Sequence, residues 1–416
     1  MKNLIGLSLT TACAVACLGL RAELVVDGDV PAGNIVVESV EGDVVRLRPD
    51  LRDTRYDWFY WAFRVKGAKG RTLTFSFEKV YDGKVVGARG PAVTTDGGRT
   101  WSYPCDRDAN APAKTFSYSF ATDDEVRFYE TWQYLPGDWK AFLDAHADQR
   151  GTALEEGVLC RTRKGADVPN LRVGCIRGKP KFRAFMSSRH HCSEATATAV
   201  VEGFVAQFLA DDADGRWLRE NVELMVVPFV DYDGAVAGDQ GKGRSPHDHN
   251  RDYGDDAFIY PETKAIASWI ASHADGRLDA FFDIHCPWLR GKRPRSTDEY
   301  VYAVLNAPGI QPSAENERRY SQLTEKLGGY DALRYQASDD LPFGQKWNTA
   351  ANYKDGQPAI IWAGRNVKGL QLLREFEIPF ANADGAVVTP DACRAFGRAA
   401  ARALKAFFSD PAIPDA

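Results

Sequence analysis

The sequence predicts an α/β/α layered domain preceded by an all-β sandwich. Three observations carry that prediction. Up to about residue 140, short runs alternate apolar and polar residues between Gly, Asp and Pro clusters, the period-2 mark of half-buried strands. From about residue 155, strand-like runs alternate with longer runs of helical periodicity, the pattern of a layered α/β fold. The 416 residues suffice for two domains, each with its own core. The expected division is a leader at 1–22, the sandwich at 23–150 and the layered domain at 151–416.

The opening "MKNLIGLSLTTACAVACLGLRA" reads as a secretory signal. Lys2 gives the positive start, Leu4 to Leu20 an uncharged apolar run, and Ala22 a small residue at the cut. Cys17 after Ala16 hints at a lipoprotein cut, although Ala14 is a poor start to that box. The expectation is export to the periplasm or the extracellular space. No later segment is apolar enough to cross a membrane, so no span is expected in the mature chain.

The sandwich strands follow in order as "NIVVESV", "DVVRLRP", "WFYWAFRV", "TLTFSFEKV" and "TFSYSFA". Between them "TTDGGRTW", Thr94 to Trp101, is similar to the Asp-box turn of sialidase propellers. One copy of a structural turn predicts a hairpin and argues against a glycosidase. In the second part, "NLRVGCIRG", "KFRAFMSS", "ENVELMVVPFV", "LDAFFDIHC", "AIIWAG" and "LLREFEIPF" read as strands. "EATATAVVEGFVAQFLADD", "YPETKAIASWIASHAD", "AENERRYSQLTEKLGG" and "TPDACRAFGRAAARALKAFFSD" read as helices.

Composition excludes several classes. A hydrophobic fraction of 44% and a charged fraction of 26% are those of a soluble globular chain. With a net charge of −5 and no basic block, nucleic acid is not an expected partner. Of eight cysteines, Cys13 and Cys17 lie in the leader. Cys105, Cys160, Cys175, Cys192, Cys286 and Cys393 remain, and spacing does not give their pairing. No CxxC pair exists, so a cysteine-built zinc site is not indicated.

Five of the seven histidines fall in three short stretches, each where a strand hands over to a loop. In "SSRHHCSEATA", His191 stands three residues and His190 four residues before Glu194. Either spacing lets an imidazole and a carboxylate meet at a helix start. In "FFDIHCPW", His285 ends a buried strand, and Asp283 on the same face could support it. With His191 and Glu194 it would complete a His/Glu/His set and leave one position open for water, as catalytic zinc sites do. A satisfied core histidine is the bland alternative.

In "GKGRSPHDHNRDYGD", His247 and His249 form an HxH pair, but the sequence does not continue as metallo-hydrolases do. Asn250 and Arg251 beside them suit a bidentate grip on a carboxylate. In "REFEIPFAN", Glu375 and Glu377 share one strand face, and one of them near a metal could be a general base.

The order of these pieces resembles the zinc metallocarboxypeptidase family. The closer likeness is to its cytosolic-carboxypeptidase-like branch, which has an N-terminal β-sandwich before the catalytic domain. "PFVDYDGAVAGDQGKGRSPHDHNRD" is similar to that branch's Asn-Pro-Asp-Gly…Asn-Arg segment, departing from it at Asp231-Tyr232. The resemblance implies a carboxypeptidase-type domain with a mixed central sheet and one zinc ion held by His191, Glu194 and His285. It implies that Asn250 and Arg251 hold the free C-terminal carboxylate of a peptide substrate and that Glu377 is the base. Arg244 becomes the arginine facing the oxyanion, with Lys242 and Arg251 close by in sequence. Arg365, in the segment that lines the family's pocket, implies an acidic C-terminal side chain. Cys192 and Cys286, each directly after a proposed ligand, would then stand close together.

The implied function is hydrolysis of the C-terminal amide of peptides. Rival readings are a zinc amidase or deacylase acting on N-acyl amino acids, a carboxypeptidase acting on peptidoglycan stem peptides, and a hydrolase fold that binds ligand without turnover.

Overall fold

In the computed structural model, residues 22–411 are described except 79, 81–84, 106–113, 255–257, 290–299, 311, 313 and 330. The signal read at 1–22 lies outside the described residues but for Ala22. Among those described, no helix is long and apolar enough to cross a membrane.

The first eight strands are β1 (Val25–Asp27), β2 (Val36–Glu41), β3 (Val44–Arg48), β4 (Ala62–Lys66), β5 (Thr72–Phe77), β6 (Ala92–Thr94), β7 (Thr115–Ser119) and β8 (Val126–Tyr129). They form two four-stranded sheets, β1-β4-β8-β6 and β2-β3-β5-β7. All pairings are antiparallel except β3 with β5, which is parallel. Alternation along β3, β4 and β5 sends Val45, Leu47, Phe63, Val65, Phe75 and Phe77 inward, where the two sheets share one core. The aspartate-containing turn is structural: Asp96 Oδ1 accepts from the backbone N–H groups of Arg99 and Thr100, both at 3.0 Å.

The later strands are β9 (Leu154–Arg161), β10 (Asp167–Gly174), β11 (Phe182–Ser188), β12 (Val222–Val227), β13 (Ala280–His285), β14 (Tyr302–Val304) and β15 (Leu372–Glu377). They make a seven-stranded sheet in the order β14-β15-β13-β11-β12-β10-β9. The central pairs β12-β11, β11-β13 and β13-β15 are parallel, and both edges are antiparallel. Strands buried on both faces read as unbroken apolar runs, which is why β12 and β13 stood out in the sequence. A small hairpin of β16 (Asn382–Ala383) and β17 (Ala386–Val387) follows.

The helices are α1 (Pro136–Asp144), α2 (Ala195–Leu209), α3 (Ala213–Asn221), α4 (Tyr232–Ala237), α5 (Pro261–His273), α6 (Ala314–Leu327), α7 (Ala359–Asn366) and α8 (Pro390–Phe408). One face of the large sheet, carrying Met186, Phe282 and Phe376, packs on the cluster that includes residues of α2 and α8. The other face, carrying Phe185, Phe281 and Leu373, packs on residues of α5 and α7. Start signals match their chemistry. The Thr389 hydroxyl caps α8 by accepting from Ala392 N–H at 3.1 Å, with Pro390 in the first turn.

One element corrects the sequence reading. "AIIWAG" is not a strand but the start of α7. A short apolar run does not distinguish strand from helix by period alone. Pro358 just before it suits the first turn, where no backbone donor is needed. Helices α1, α3 and α4 were passed over because each has nine residues or fewer.

Candidate metal and active site

The candidate residues collect at the C-terminal ends of the parallel strands. Register explains how. Ser187, Asp283 and Glu375 are neighbours across β11, β13 and β15, and two residues on, His285 pairs with Glu377. Because alternate residues share a face, Asp283, His285, Glu375 and Glu377 form one polar row at the strand ends.

Strand β11 ends at Ser188, and the buried Arg189 takes a left-handed φ of 63°. This uncommon conformation for an arginine turns the chain so that the next two imidazoles part ways. His190 lies between Asp283 and Tyr253, with Nδ1–Oδ1 2.9 Å and Nε2–Oη 2.7 Å. His191 faces Glu194, with Nδ1–Oε1 2.8 Å. His285 faces the other oxygen of the same carboxylate, Nδ1–Oε2 2.9 Å. Glu194 stands immediately before α2, so the His191–Glu194 pair sits in the turn leading into the helix.

Whether these residues suit a zinc ion is decided by their lone pairs. An imidazole nitrogen and a carboxylate oxygen do not approach to 2.9 Å unless a proton or a cation lies between them. The ligand atoms of His191, Glu194 and His285 lie within 4.8 Å of one another, and all three residues are buried. Two nitrogens and one oxygen form the donor set of catalytic zinc. Carboxylates stand beside the outer nitrogens as well. His285 Nε2 is 2.9 Å from Asp283, and His191 Nε2 is 3.3 Å from Asp248. Such carboxylates fix the ring tautomer and point the inner lone pair at the metal. Burial alone would raise the Glu194 carboxyl, yet His191 and His285 hold it down at about 2.

A second buried group, His190, Asp283 and His285, has the same compactness. It shares His285 with the first, and both nitrogens of His190 are already engaged. It therefore reads as support for the first group. His247 and His249 join neither. His249 stacks on Tyr260 with ring centroids 3.6 Å apart, and His247 Nε2 is 3.1 Å from the Arg251 carbonyl.

The cleft in front of the three ligands has a volume of about 260 Å³. Lys242, Asn250, Arg251, Glu375 and Glu377 all line it. Asn250 is held by Ala359 N–H donating to its Oδ1 at 3.2 Å, and its Nδ2 lies 3.3 Å from His285. Arg251 donates to the Asn250 carbonyl at 2.7 Å and stacks over Tyr353 at 5.5 Å. Glu377 is 5% exposed, and its Oε2 has no described partner. Burial, then Glu375, pushes the Glu377 carboxyl well above its usual range, against the pull of His285.

Two expected site residues lie elsewhere. Arg244 does not line this cleft. Its guanidinium is ion-paired with Asp231, with Asp53 at 2.7 Å and with Asp239 at 3.0 Å. It lines a separate cavity of about 220 Å³ with His249 and Glu262. Arg365 is exposed at the end of α7 and is not among the residues lining the cleft.

Besides Arg251, the cation that faces the cleft is Lys242. Its Nζ stands 4.7 Å from the centroid of the Trp58 ring, and no described hydrogen bond or ion pair engages it. Burial, then Arg251, lowers its pKa. The loop that carries it packs tightly on the ligand turn. A Cβ at Gly241 would come within 2.6 Å of the Cys192 backbone nitrogen, so only glycine fits there.

Sequence reasoning also missed Tyr56 and Trp58, which reach the cleft from the segment between β3 and β4. Nothing in their local pattern marks them. Cys192 and Cys286 are both buried and unpaired, bonded instead to the Asp239 carbonyl and to Thr196.

Residues 140–287 match the family model described as zinc carboxypeptidase. Over 149 residues the chain is 26% identical to cytosolic carboxypeptidase 2 of Xenopus tropicalis, covering 33% of this chain and 15% of that protein. Over 235 residues it is 25% identical to cytosolic carboxypeptidase 2 of Danio rerio, covering 50% of this chain and 32% of that protein. The chain thus spans less than a third of the length of these curated relatives. A metallo-carboxypeptidase from Burkholderia cenocepacia has a similar fold, with TM-score 0.72, 22% identity and coverage of 92% of this chain and 99% of that one.

Proposed function

We propose that this chain, whose residues 140–287 match the zinc carboxypeptidase model, removes the C-terminal residue from peptides by hydrolysing its amide bond. The observation that supports this most is convergence. His191, Glu194, His285, Glu377, Asn250 and Arg251 come from four separate stretches of chain and line one cleft.

In this reading His191, Glu194 and His285 would hold a zinc ion, which would supply Lewis acidity and lower the pKa of water. The chain's own residues do the rest. Glu377 accepts the proton of the attacking water and returns it to the leaving amine. Lys242, not Arg244, faces the oxygen on which negative charge develops, because its ammonium faces the cleft and no described hydrogen bond or ion pair engages it. Arg251 and Asn250 bind the substrate's terminal carboxylate, which makes cleavage exo rather than endo. The aromatic walls Trp58, Trp288 and Tyr353 narrow the space and limit water.

The test is a zinc-loaded preparation incubated with paired peptides, free or amidated at the C-terminus. Release of one residue from the free peptides alone is expected. Equal cleavage of both forms would overturn the role of Arg251 and Asn250. No release from any free peptide, or hydrolysis confined to N-acyl amino acids, would overturn the peptidase reading.

A further inference from the structure

Glu377 is not the only carboxylate that β15 turns into the cleft. Glu375, two residues earlier on the same face, lines it as well and is 6% exposed. No described hydrogen bond or ion pair reaches its carboxylate. The chemistry above does not use it. Buried carboxylates are ordinarily paired, so an unpaired one facing a ligand cleft calls for a partner that arrives with the ligand.

Its place in the cleft says what that partner is. Lys242 stands beside Trp58, which comes from the N-terminal strands. Glu375 and Tyr353 line both the cleft and a smaller recess that Lys242 and Trp58 do not reach. That recess, among Val304, Phe343, Ile360 and Ile361, holds only about 10 Å³, roughly one water. A side chain entering from the cleft therefore ends at the Glu375 carboxylate.

We propose that the cleft selects peptides whose C-terminal residue has a cationic side chain, arginine or lysine, with Glu375 as its counter-charge. This rests on reading the cleft as the seat of a C-terminal residue. Arginine or lysine lays its methylenes against Tyr353 and brings its charged end to Glu375. The guanidinium can bind there through two parallel bonds. A leucine leaves Glu375 buried without a partner. A glutamate adds a like charge next to Glu375 and Glu377. The acidic preference implied by Arg365 has no support here, since that residue is exposed outside the cleft.

The experiment uses the zinc-loaded full chain and peptides that differ only in a final Arg, Lys, Leu or Glu. The expected kcat/KM for Arg and Lys exceeds that for Leu on the order of tenfold, and that for Glu by more. In Glu375→Gln the Arg-to-Leu ratio falls towards one. Calorimetric binding of free arginine, leucine and glutamate to the unmutated protein needs neither turnover nor a folded variant, and arginine is expected to bind tightest. Cleavage of no peptide sinks the peptidase reading. Arginine bound no more tightly than leucine, or wild-type rates for Leu or Glu that match those for Arg, sinks this one.

Discussion

Glu377 lies directly across from His285 on the neighbouring parallel strand, with both side chains buried at the same end of the sheet. A carboxylate so placed shares its surroundings with the candidate metal ligands and would stand where a base is needed. A divalent cation nearby favours its ionised form, which a base requires. Glu377→Gln keeps the shape and removes the proton acceptor. The expected result is a fall in kcat of about 10²–10⁴-fold with metal content unchanged. Steady-state kinetics with elemental analysis checks it. Retained activity would move the base to another group, Glu375 first.

Lys242 and Arg244 are separated by one glycine yet point into different cavities. Their substitutions should fail in different ways. Lys242→Met is expected to lower kcat by roughly 10²–10³-fold with little change in melting temperature. Arg244→Met removes the partner of buried Asp231 and Asp239, at a cost of about 3–5 kcal/mol in stability, while kcat of the folded fraction changes little. Kinetics beside denaturant titration separates the two. A kcat collapse in the Arg244 variant at full stability would return the oxyanion role to it.

Asp283 carries the outer nitrogens of both His190 and His285. Asp283→Asn keeps the size but weakens the hold on the ring that points at the metal. Zinc affinity is expected to fall about 10–100-fold, read by competition with a chromogenic chelator. Unchanged affinity would show that His285 is oriented by packing alone.

Glu262 gives a pH dependence apart from the proposed ligands. Burial, reinforced by Asp231, Asp233 and Asp252, pushes its carboxyl from the ordinary 4.5 to about 7. Between those values the folded state keeps a proton that the unfolded chain has lost. The native state then binds more protons, so stability falls as pH rises from about 4.5 to about 7 and levels off above. The effect amounts to at most about 3 kcal/mol. Glu262→Gln should flatten that slope and melt higher than the parent at pH 8. Parallel pH–stability curves for the two proteins would show that the carboxyl is ionised throughout.

The large sheet was legible because β12, β13 and β15 are buried runs rich in apolar residues, and β13 and β15 end in His285 and Glu377 at the site. Helix α7 was not, since its eight residues carry too little periodicity to oppose a strand reading. The ligand turn was legible as a choice between His190 and His191. It took the left-handed Arg189 to send one imidazole to Asp283 and the other to Glu194. Choosing between Lys242 and Arg244 was beyond a linear reading. Gly243 between them has a φ of 65°, and this single backbone angle sends the two cations apart. Trp58 and Tyr56 were beyond it for a different reason: they lie well over a hundred residues from the ligands and meet them only through the docking of the sandwich.

That docking is tight. The Gln240 amide ties down the backbone of Trp58 and Tyr60, and Asn34 reaches the Gly238 carbonyl at 2.7 Å. The part of the chain that carries the candidate ligands therefore does not supply the whole wall of the cleft. A protein cut at the junction would keep the candidate zinc ligands and lose one wall of the cleft, together with the indole beside Lys242. The cleft is thus walled from both parts of the chain, and Trp58 and Lys242 meet across the seam between them.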